Sequence, residues 1–504
     1  MKFFMGIDVG TYSSKGVIID EQCRIIASHQ ITHNVMNPRP GYFEHDAEKI
    51  WWQEVCLISQ KLLSEGDVPS ENISGLGISA LGCDVVPVDR NCNALCNAIL
   101  YGIDTRASEE IEYLNNYNKS VCKNKLLNRP FNSSDCIPKI LWLKNNRPEI
   151  YNKTSKFLTA SSFITAKLTG EYVIDQFLIN CFAPAYDINN IYRSDLLQDL
   201  CCRSDQFATV AHSNDIVGYV TAQAAAQTGL ATGTPVTCGT DDSGAEAISA
   251  GVLEPGDMMI QLGSTCYIIY CSDRHINDTR MWNSAYLIPG TFCIDGGTNA
   301  AGALTKWVRD TMYPDLVSDE NSGGKSAYAV LADRAANIPA GSEGLIMLPY
   351  FSGERTPIND ASAKGILYGL LFHHTRDHIY RSAIEATAYA IAQHVKIIQS
   401  HQLPIHNLLC VGGGAKNNTW LQIIADVTGI NVQKPAVTIG ASYGDAMIAA
   451  IGTKHFKSFG ELHHYIAIEK QFTPDPSNKA VYEKGLNLYT KLYQNTSDLM
   501  HTYK

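Results

Sequence analysis

One pattern occurs twice in this chain. The apolar run Phe3-Phe4-Met5-Gly6-Ile7 ends in a carboxylate, Asp8; a turn holding Gly10 and Thr11 follows, then a second apolar run, Val17-Ile18-Ile19. About half a chain later "GDMMIQLGSTCYIIYCSD", residues 256–273, repeats the plan with Gly263, Ser264 and Thr265 at the turn. Two such strand–turn–strand units point to two similar domains facing each other across a cleft. A length of 504 residues agrees, being too great for one core. The expected division is 1–245, 246–465 and a helical tail, 466–504.

The rest of the sequence alternates strand-like and helical patterns, which predicts an α/β fold. Residues 2–31 read as three strands, with "DEQCR" turning the second into the third. "HDAEKIWWQEVCLISQKLL" has helical spacing and Asp46 as its N-cap. "ISGLGISALGCDVVPVD" reads as strand, loop and strand, and "IPKILWLKNNRPEIY" as a helix ended by Pro148. "HIYRSAIEATAYAIAQHVKIIQSH" is a long, mostly apolar helix, and "NLLCVGGGAKNNTW" a strand and glycine turn opening a helix. The small residues of "GASYGDAMIAAIG" suit a helix packed closely on a sheet.

Composition excludes several classes. A net charge of -10 leaves no basic stripe for nucleic acid, though a local loop and a metal ion still allow a nucleotide. No apolar run of membrane-spanning length is present, and the charged opening is no signal peptide. The 15 cysteines include no C-x-x-C pair, so free thiols in a reducing cytosol are expected.

A glycine-containing hairpin turn lets backbone N–H groups approach a phosphate. A carboxylate at its base can hold Mg²⁺, and Lys15 can reach the phosphate as a point charge. The bland alternative is a plain hairpin with an Asx turn at Asp8. In "CGTDDSGAEAISAG", Asp241 and Asp242 point to opposite faces if extended, so one acid can serve chemistry while the other caps a helix. An acid placed beside a hydroxyl can take its proton in phosphoryl transfer. His374 and His378, with His373 beside them, have the i, i+4 spacing of a zinc pair, but no third ligand is evident nearby, and a solvated helix start is the expected reading.

These residues resemble the FGGY carbohydrate kinases, members of the actin-like, sugar-kinase and heat-shock ATPase superfamily. The resemblance spans about residues 3–455. It rests on "GIDVGT", on "LPYFSGERTPINDASAKGILYGL", which is similar to a segment of xylulose kinases, and on "GILYGLLFHHTRDHIYRSAIE", which fits the family's C-terminal signature. "SDCIPKILWLKNN" keeps Lys139, Trp142 and Leu143 of the N-terminal signature, with Cys136 where the family prefers Pro, Ser or Thr.

The resemblance implies two ribonuclease-H-like domains and a cytoplasmic enzyme using ATP and Mg²⁺, with a sugar as partner, no nucleic acid or membrane, and a homodimer as the assembly. Asp8 would hold the metal, and Gly10, Thr11, Tyr12 and Lys15 would form the first phosphate hairpin. Asp242 would be the catalytic base, and Gly263, Ser264 and Thr265 the second hairpin. Gly302 and Lys306 would border the adenosine, with Gly413, Gly414, Asn417 and Asn418 on the adenine side. On the sugar side "ALGCD", Ala80–Asp84, lacks both the Gln-Met-His-Gly of bacterial xylulose kinases and the Gln-Arg-Glu of glycerol kinases. Cys83, Asp84, Asp104 and Arg106 are the candidates there, with Asp135 beside them. The alternative for Asp104 and Arg106 is a structural ion pair. A ketopentose such as xylulose is the expected acceptor; ribulose, gluconate, glycerol, erythritol or another polyol is the alternative, then a non-catalytic sugar-binding regulator.

Overall fold

The strand Phe3–Val9 is buried along its whole length, which explains why its sequence is continuously apolar rather than alternating. It lies at the centre of the first of two compact units in the computed structural model, which describes residues 1–121, 126–127, 129–186 and 201–502. The first unit's sheet runs in the order Ile216–Tyr219, Pro235–Thr237, Ile73–Ala80, Phe3–Val9, Ser13–Asp20, Ile25–Thr32. Phe3–Val9 pairs antiparallel with Ser13–Asp20 and parallel with Ile73–Ala80. The short strand Thr240–Asp241 also pairs parallel with Ile73–Ala80, and the helix Asp242–Ala250 follows it directly. Parallel pairing brings the ends of these strands together, so Asp8, Ser79 and Asp241 share one end of the sheet.

The helix Ala441–Gly452 covers one face of this sheet and is buried throughout. Its approach is so close that a Cβ on Gly6 would meet the Ser442 carbonyl oxygen at 2.0 Å, and one on Gly77 that of Asp445 at 2.1 Å. The close packing expected of "GASYGDAMIAAIG" is therefore present, but on the first unit. That unit comprises Met1–Ser249, Ser284–Phe292 and Ile439–Tyr465. Residues 439–465 thus follow the second unit in sequence but pack with the first. Ser284–Phe292 is held by Gln176, whose amide donates to the Tyr286 and Leu287 carbonyls at 3.0 and 2.7 Å.

Several local expectations meet their physical reasons. Asp46 caps its helix by accepting from the Glu48 and Lys49 amides, and the first turn is wide before the α-helix Gln53–Glu65. The helix Cys136–Asn146 ends before Pro148, which opens a further short turn, Pro148–Tyr151, where its missing N–H costs nothing.

The second unit comprises Ala250–Asn283, Cys293–Thr438 and Ile466–Lys504. Its strands include, in spatial order, Cys266–Ser272, Asp257–Leu262, Asn407–Val411, Val432–Pro435 and Ile468–Phe472. The long helix Arg376–Ser400 is buried over most of its length and packs on Asn418–Thr428. Residues 466–504 are not a separate tail: Ile468–Phe472 extends the sheet, and the helix Lys479–Thr502 buries Tyr482, Leu486, Tyr489 and Leu492. Among the described residues no helix is long and apolar enough to cross a membrane.

Candidate active site

Four acids of the first unit act on one another at the sheet end. Burial pushes the Asp8 carboxyl up to about 7, against the opposing charge of Lys15; Glu246 and Asp241 push it further the same way. Lys15 stands directly opposite Asp8 in the hairpin register. Asp241 accepts from the Ser243 hydroxyl at 3.0 Å and the Gly244 amide at 2.7 Å, so it is the acid that caps the helix. Burial nevertheless holds it up at about 6. Asp242 opens the helix Asp242–Ala250, and burial, then Asp8, Asp241 and Glu246, drive its carboxyl well above the usual range.

A fifth acid is tied to Asp8 through a hydroxyl. Ser79 Oγ lies 3.1 Å from Asp8 Oδ1 and 2.7 Å from Asp445 Oδ2. Burial and then the Asp8 charge raise Asp445 well above the carboxylate range. One serine hydroxyl thus links the two acids.

The first hairpin tip is held from its flanks. The Gly10 amide donates to the Ser13 carbonyl at 3.0 Å, and Thr11 Oγ1 lies 2.9 Å from the Tyr101 hydroxyl. His33 bridges the Gly10 carbonyl oxygen, 3.1 Å from Nε2, and Glu54 Oε2, 2.9 Å from Nδ1. Tyr12 projects outward, exposed.

On the expected sugar side the four candidates separate. Cys83 is joined to Cys181 in a disulfide with Cα atoms 5.0 Å apart, which overturns the all-thiol reading and leaves Cys83 no proton to offer a ligand. Twelve further cysteines among the described residues are thiols rather than disulfides. Asp104 and Arg106 form a closed structural pair: the guanidinium donates to both Asp104 oxygens, reaches Glu44 at 2.9 Å and lies 4.2 Å over the Tyr42 ring. Asp104 also accepts from the Phe43 amide, so its carboxylate is engaged on both oxygens within the protein. Asp135 is likewise engaged, by Arg129 and the Asn132 amide.

Asp84 differs. It is fully buried, and neither carboxylate oxygen has a hydrogen-bond partner among the described residues. Burial pushes it up to about 7, and the Ala160 backbone amide and, at longer range, the Lys139 charge act against that rise. The Lys139 ammonium cannot turn to it, because its three protons go to the carbonyls of Cys83, Ser133 and Asp135 at 2.9, 2.7 and 3.1 Å.

In the second unit the structure assembles the expected nucleotide elements around one hairpin tip. The Gly302 amide donates to the Gly263 carbonyl at 2.9 Å and the Ala303 amide to that of Ser264 at 2.9 Å. Glycine is required at 302, since a Cβ would sit 2.5 Å from Gly263 O. Gly263, Ser264 and Thr265 are exposed. Gly412, at φ +88°, backs onto the Leu262 carbonyl oxygen, 2.7 Å from where its Cβ would be, which brings the Gly413-Gly414 turn beside the hairpin. Asn418 is exposed, but the Asn417 side chain caps the following helix by accepting from the Trp420 amide at 3.1 Å. Lys306 is paired with Asp310 at 2.5 Å on the helix surface.

Comparison with known families settles what scaffold this is. Residues 3–249 match the N-terminal domain, and residues 258–453 the C-terminal domain, of the FGGY family of carbohydrate kinases. The chain belongs to that family. A curated relative, the xylulose kinase of Bacillus subtilis, is 29% identical over 99% of this chain and 98% of its own length. An autoinducer-2 kinase of Photorhabdus laumondii is 26% identical over 98% of this chain and 94% of its own. Among solved structures, the xylulose kinase from Rhodospirillum rubrum superposes with a TM-score of 0.90 at 27% identity, covering 99% of this chain and 100% of that one.

Membership in the FGGY family implies that ATP is the phosphoryl donor and a small carbohydrate the acceptor. The acid cluster fits the metal such a reaction employs: its donors are all oxygen, and its carboxyls raise one another's proton affinity, as a hard dication would relieve. Ser79, Asp445, Glu246 and His33 were not singled out from the sequence of this FGGY kinase. Asp445 carried the clearest signal, as the lone acid in an otherwise small and apolar helix.

Proposed function

We propose that this chain transfers the γ-phosphoryl group of Mg-ATP to a hydroxyl of a ketopentose such as xylulose, with Asp242 as the base. The position of Asp242 carries this reading: it stands at the first turn of a helix, beside Asp8, with its proton affinity raised by burial and by neighbouring charge. A carboxylate so raised takes a hydroxyl proton with less loss of driving force than an ordinary one. Asp8 would hold Mg²⁺, which neutralises phosphate charge when bound. Gly10, Thr11, Tyr12 and Lys15 of the first hairpin, and Gly263, Ser264 and Thr265 of the second, receive phosphate. Gly302, Lys306, Gly413, Gly414 and Asn418 border the nucleoside.

Positioning and charge stabilisation do most of the work in phosphoryl transfer. Sugar recognition on the first unit falls to Asp84, whose unpartnered carboxyl can pair a hydroxyl. A ketopentose is favoured because xylulose kinases recur among both the curated relatives and the solved structures. A coupled ADP-release screen over xylulose, ribulose, gluconate, glycerol, erythritol and autoinducer-2 tests the acceptor; xylulose should give the largest kcat/KM, and a larger value for a non-ketose would refute the assignment. Asp242→Asn should lower kcat by about two to four decades with ATP binding retained, and a mutant near wild-type turnover would remove Asp242 from the base role.

A further inference from the structure

A cluster far along the sequence from the acids above is left without a role. His373 and His374 lie just before the helix Arg376–Ser400 and His378 in its first turn, and the structure brings Glu343 to them from a separate turn. Glu343 Oε2 is 3.2 Å from His373 Nε2 and 3.2 Å from His378 Nε2. The third ligand that the sequence did not show is therefore present in space. One ligand atom each from Glu343, His373 and His374 lies within 4.8 Å of the others.

Glu343 does not reach this place by chance rotation of a surface side chain. Four consecutive residues, Gly341, Ser342, Glu343 and Gly344, have φ of 77, 48, 52 and 94°. Left-handed backbone is costly for Ser and Glu and persists only where surroundings dictate it. Here Glu385 dictates it, accepting from the Gly341 amide at 2.9 Å and the Ser342 hydroxyl at 2.8 Å. Arg381 and Tyr482 in turn hold Glu385 at 2.8 and 3.1 Å.

The expected solvated helix start describes this cluster incompletely. His378 is buried, not solvated; its Nδ1 accepts from the Thr375 amide in a capping box, so its Nε2–H faces Glu343. It is a positioning residue for the carboxylate. His374 Nδ1 accepts from the Leu371 amide at 2.9 Å, which leaves Nε2 buried and with no partner among the described residues. The His373 and His374 rings lie 4.3 Å apart.

We propose that Glu343, His373 and His374 form a site for a divalent transition-metal ion of the zinc class, with water completing the coordination. The ligand types are those of zinc, and with bonds of about 2.0–2.2 Å a tetrahedron has edges of roughly 3.3–3.5 Å. The Glu343–His373 separation of 3.2 Å is already close to that. His374 completes the set by giving Nε2 to the metal; its ring proton then sits on Nδ1 and the Leu371 bond is lost. Affinity should accordingly fall below that of a closed structural zinc centre. The bound ion would pin the strained turn to the helix start.

The test is Zn²⁺ competition against a chromogenic chelator, using the full chain and Glu343→Gln, His373→Ala and His374→Ala, with Co²⁺ spectra alongside. The expected result is one Zn²⁺ equivalent in the wild type and a loss of affinity beyond ~10–100-fold in each variant, more than removal of a supporting group costs. The Co²⁺ spectrum should be tetrahedral and lack thiolate charge-transfer bands, which separates this site from the many cysteines. Unchanged kinase turnover in the variants would show that they fold. Equal Zn²⁺ uptake by wild type and variants overturns the site. So does binding that survives Glu343→Gln but is lost in His378→Ala, since that marks a simple i, i+4 surface chelate.

Discussion

Replacing Asp84 by Asn should make the protein more resistant to alkaline pH. In the folded chain burial lifts this carboxyl from its ordinary value to about 7. An acid with a folded pKa above its unfolded value opposes folding when ionised, so its effect is absent below about pH 4, grows as pH rises to about 7 and levels off above about 8. A shift of about three units at about 1.4 kcal/mol each comes to roughly 4 kcal/mol at pH 8. Integration of the two titrations places roughly 3 kcal/mol of that between pH 5 and pH 8. It is an upper figure, because any water admitted to the carboxylate lowers the cost. The Asn side chain occupies the same volume and does not titrate, so whatever its burial costs is independent of pH. The assay is thermal or urea unfolding of both proteins, without ligands, at half-unit steps from pH 5 to 8. The variant-minus-wild-type difference should move in favour of the variant as pH rises, by several degrees in Tm for a domain of this size. A flat difference across that range would refute the reasoning and mean that Asp84 meets water or a donor. Saturating sugar should shrink the effect if Asp84 pairs a sugar hydroxyl, and the KM for sugar should rise in the variant.

Gly77→Ala would place a Cβ 2.1 Å from the Asp445 carbonyl oxygen, over 1 Å inside contact distance; the cost should exceed the ~1–3 kcal/mol usual for overpacking because backbone must move, and a Tm within two degrees of wild type would contradict the observed packing. Arg106→Ala leaves Asp104 and Glu44 buried or nearly so without their cation, so stability should drop by about 3–5 kcal/mol in denaturant titration while the preference between xylulose and ribulose is unchanged; a shifted epimer ratio at unchanged stability would return the pair to the sugar site. Gly413→Ala has nothing within 4 Å of the new Cβ, so stability should hold, and a raised KM for ATP in steady-state kinetics would be the mark of a nucleotide turn; an unchanged KM would argue against it.

The two hairpins and the alternating α/β architecture were legible because each is written in contiguous residues whose chemistry is local. Asp8, with Lys15 opposite it seven residues later, is such a case. What was not legible depends on distance along the chain. Ser79 and Asp445 are 366 residues apart, and nothing in their neighbourhoods says that they meet. Cys83 and Cys181 are separated by 98, and spacing alone cannot pair them among 15 cysteines. Asp104 and Arg106 looked available because the sequence does not show Glu44 and Tyr42 closing around them. Asn417 looked like a purine contact, yet its position before a helix already carried the competing signal of an N-cap. Residues 439–465 follow the second unit in sequence yet pack with the first, and contiguity does not show where a chain crosses back.

That crossing back has a consequence during synthesis. The sheet face around Gly6, Gly75 and Gly77 is covered by a helix that leaves the ribosome roughly 190 residues after Ser249. At about 5–20 residues per second the delay is on the order of 10–40 s. For that interval the growing polypeptide holds strands whose glycines offer bare, unshielded backbone and adjoining apolar side chains to the cell, while the second unit folds on its own schedule. The final closure of the first unit thus waits on a segment encoded near the far end of the message.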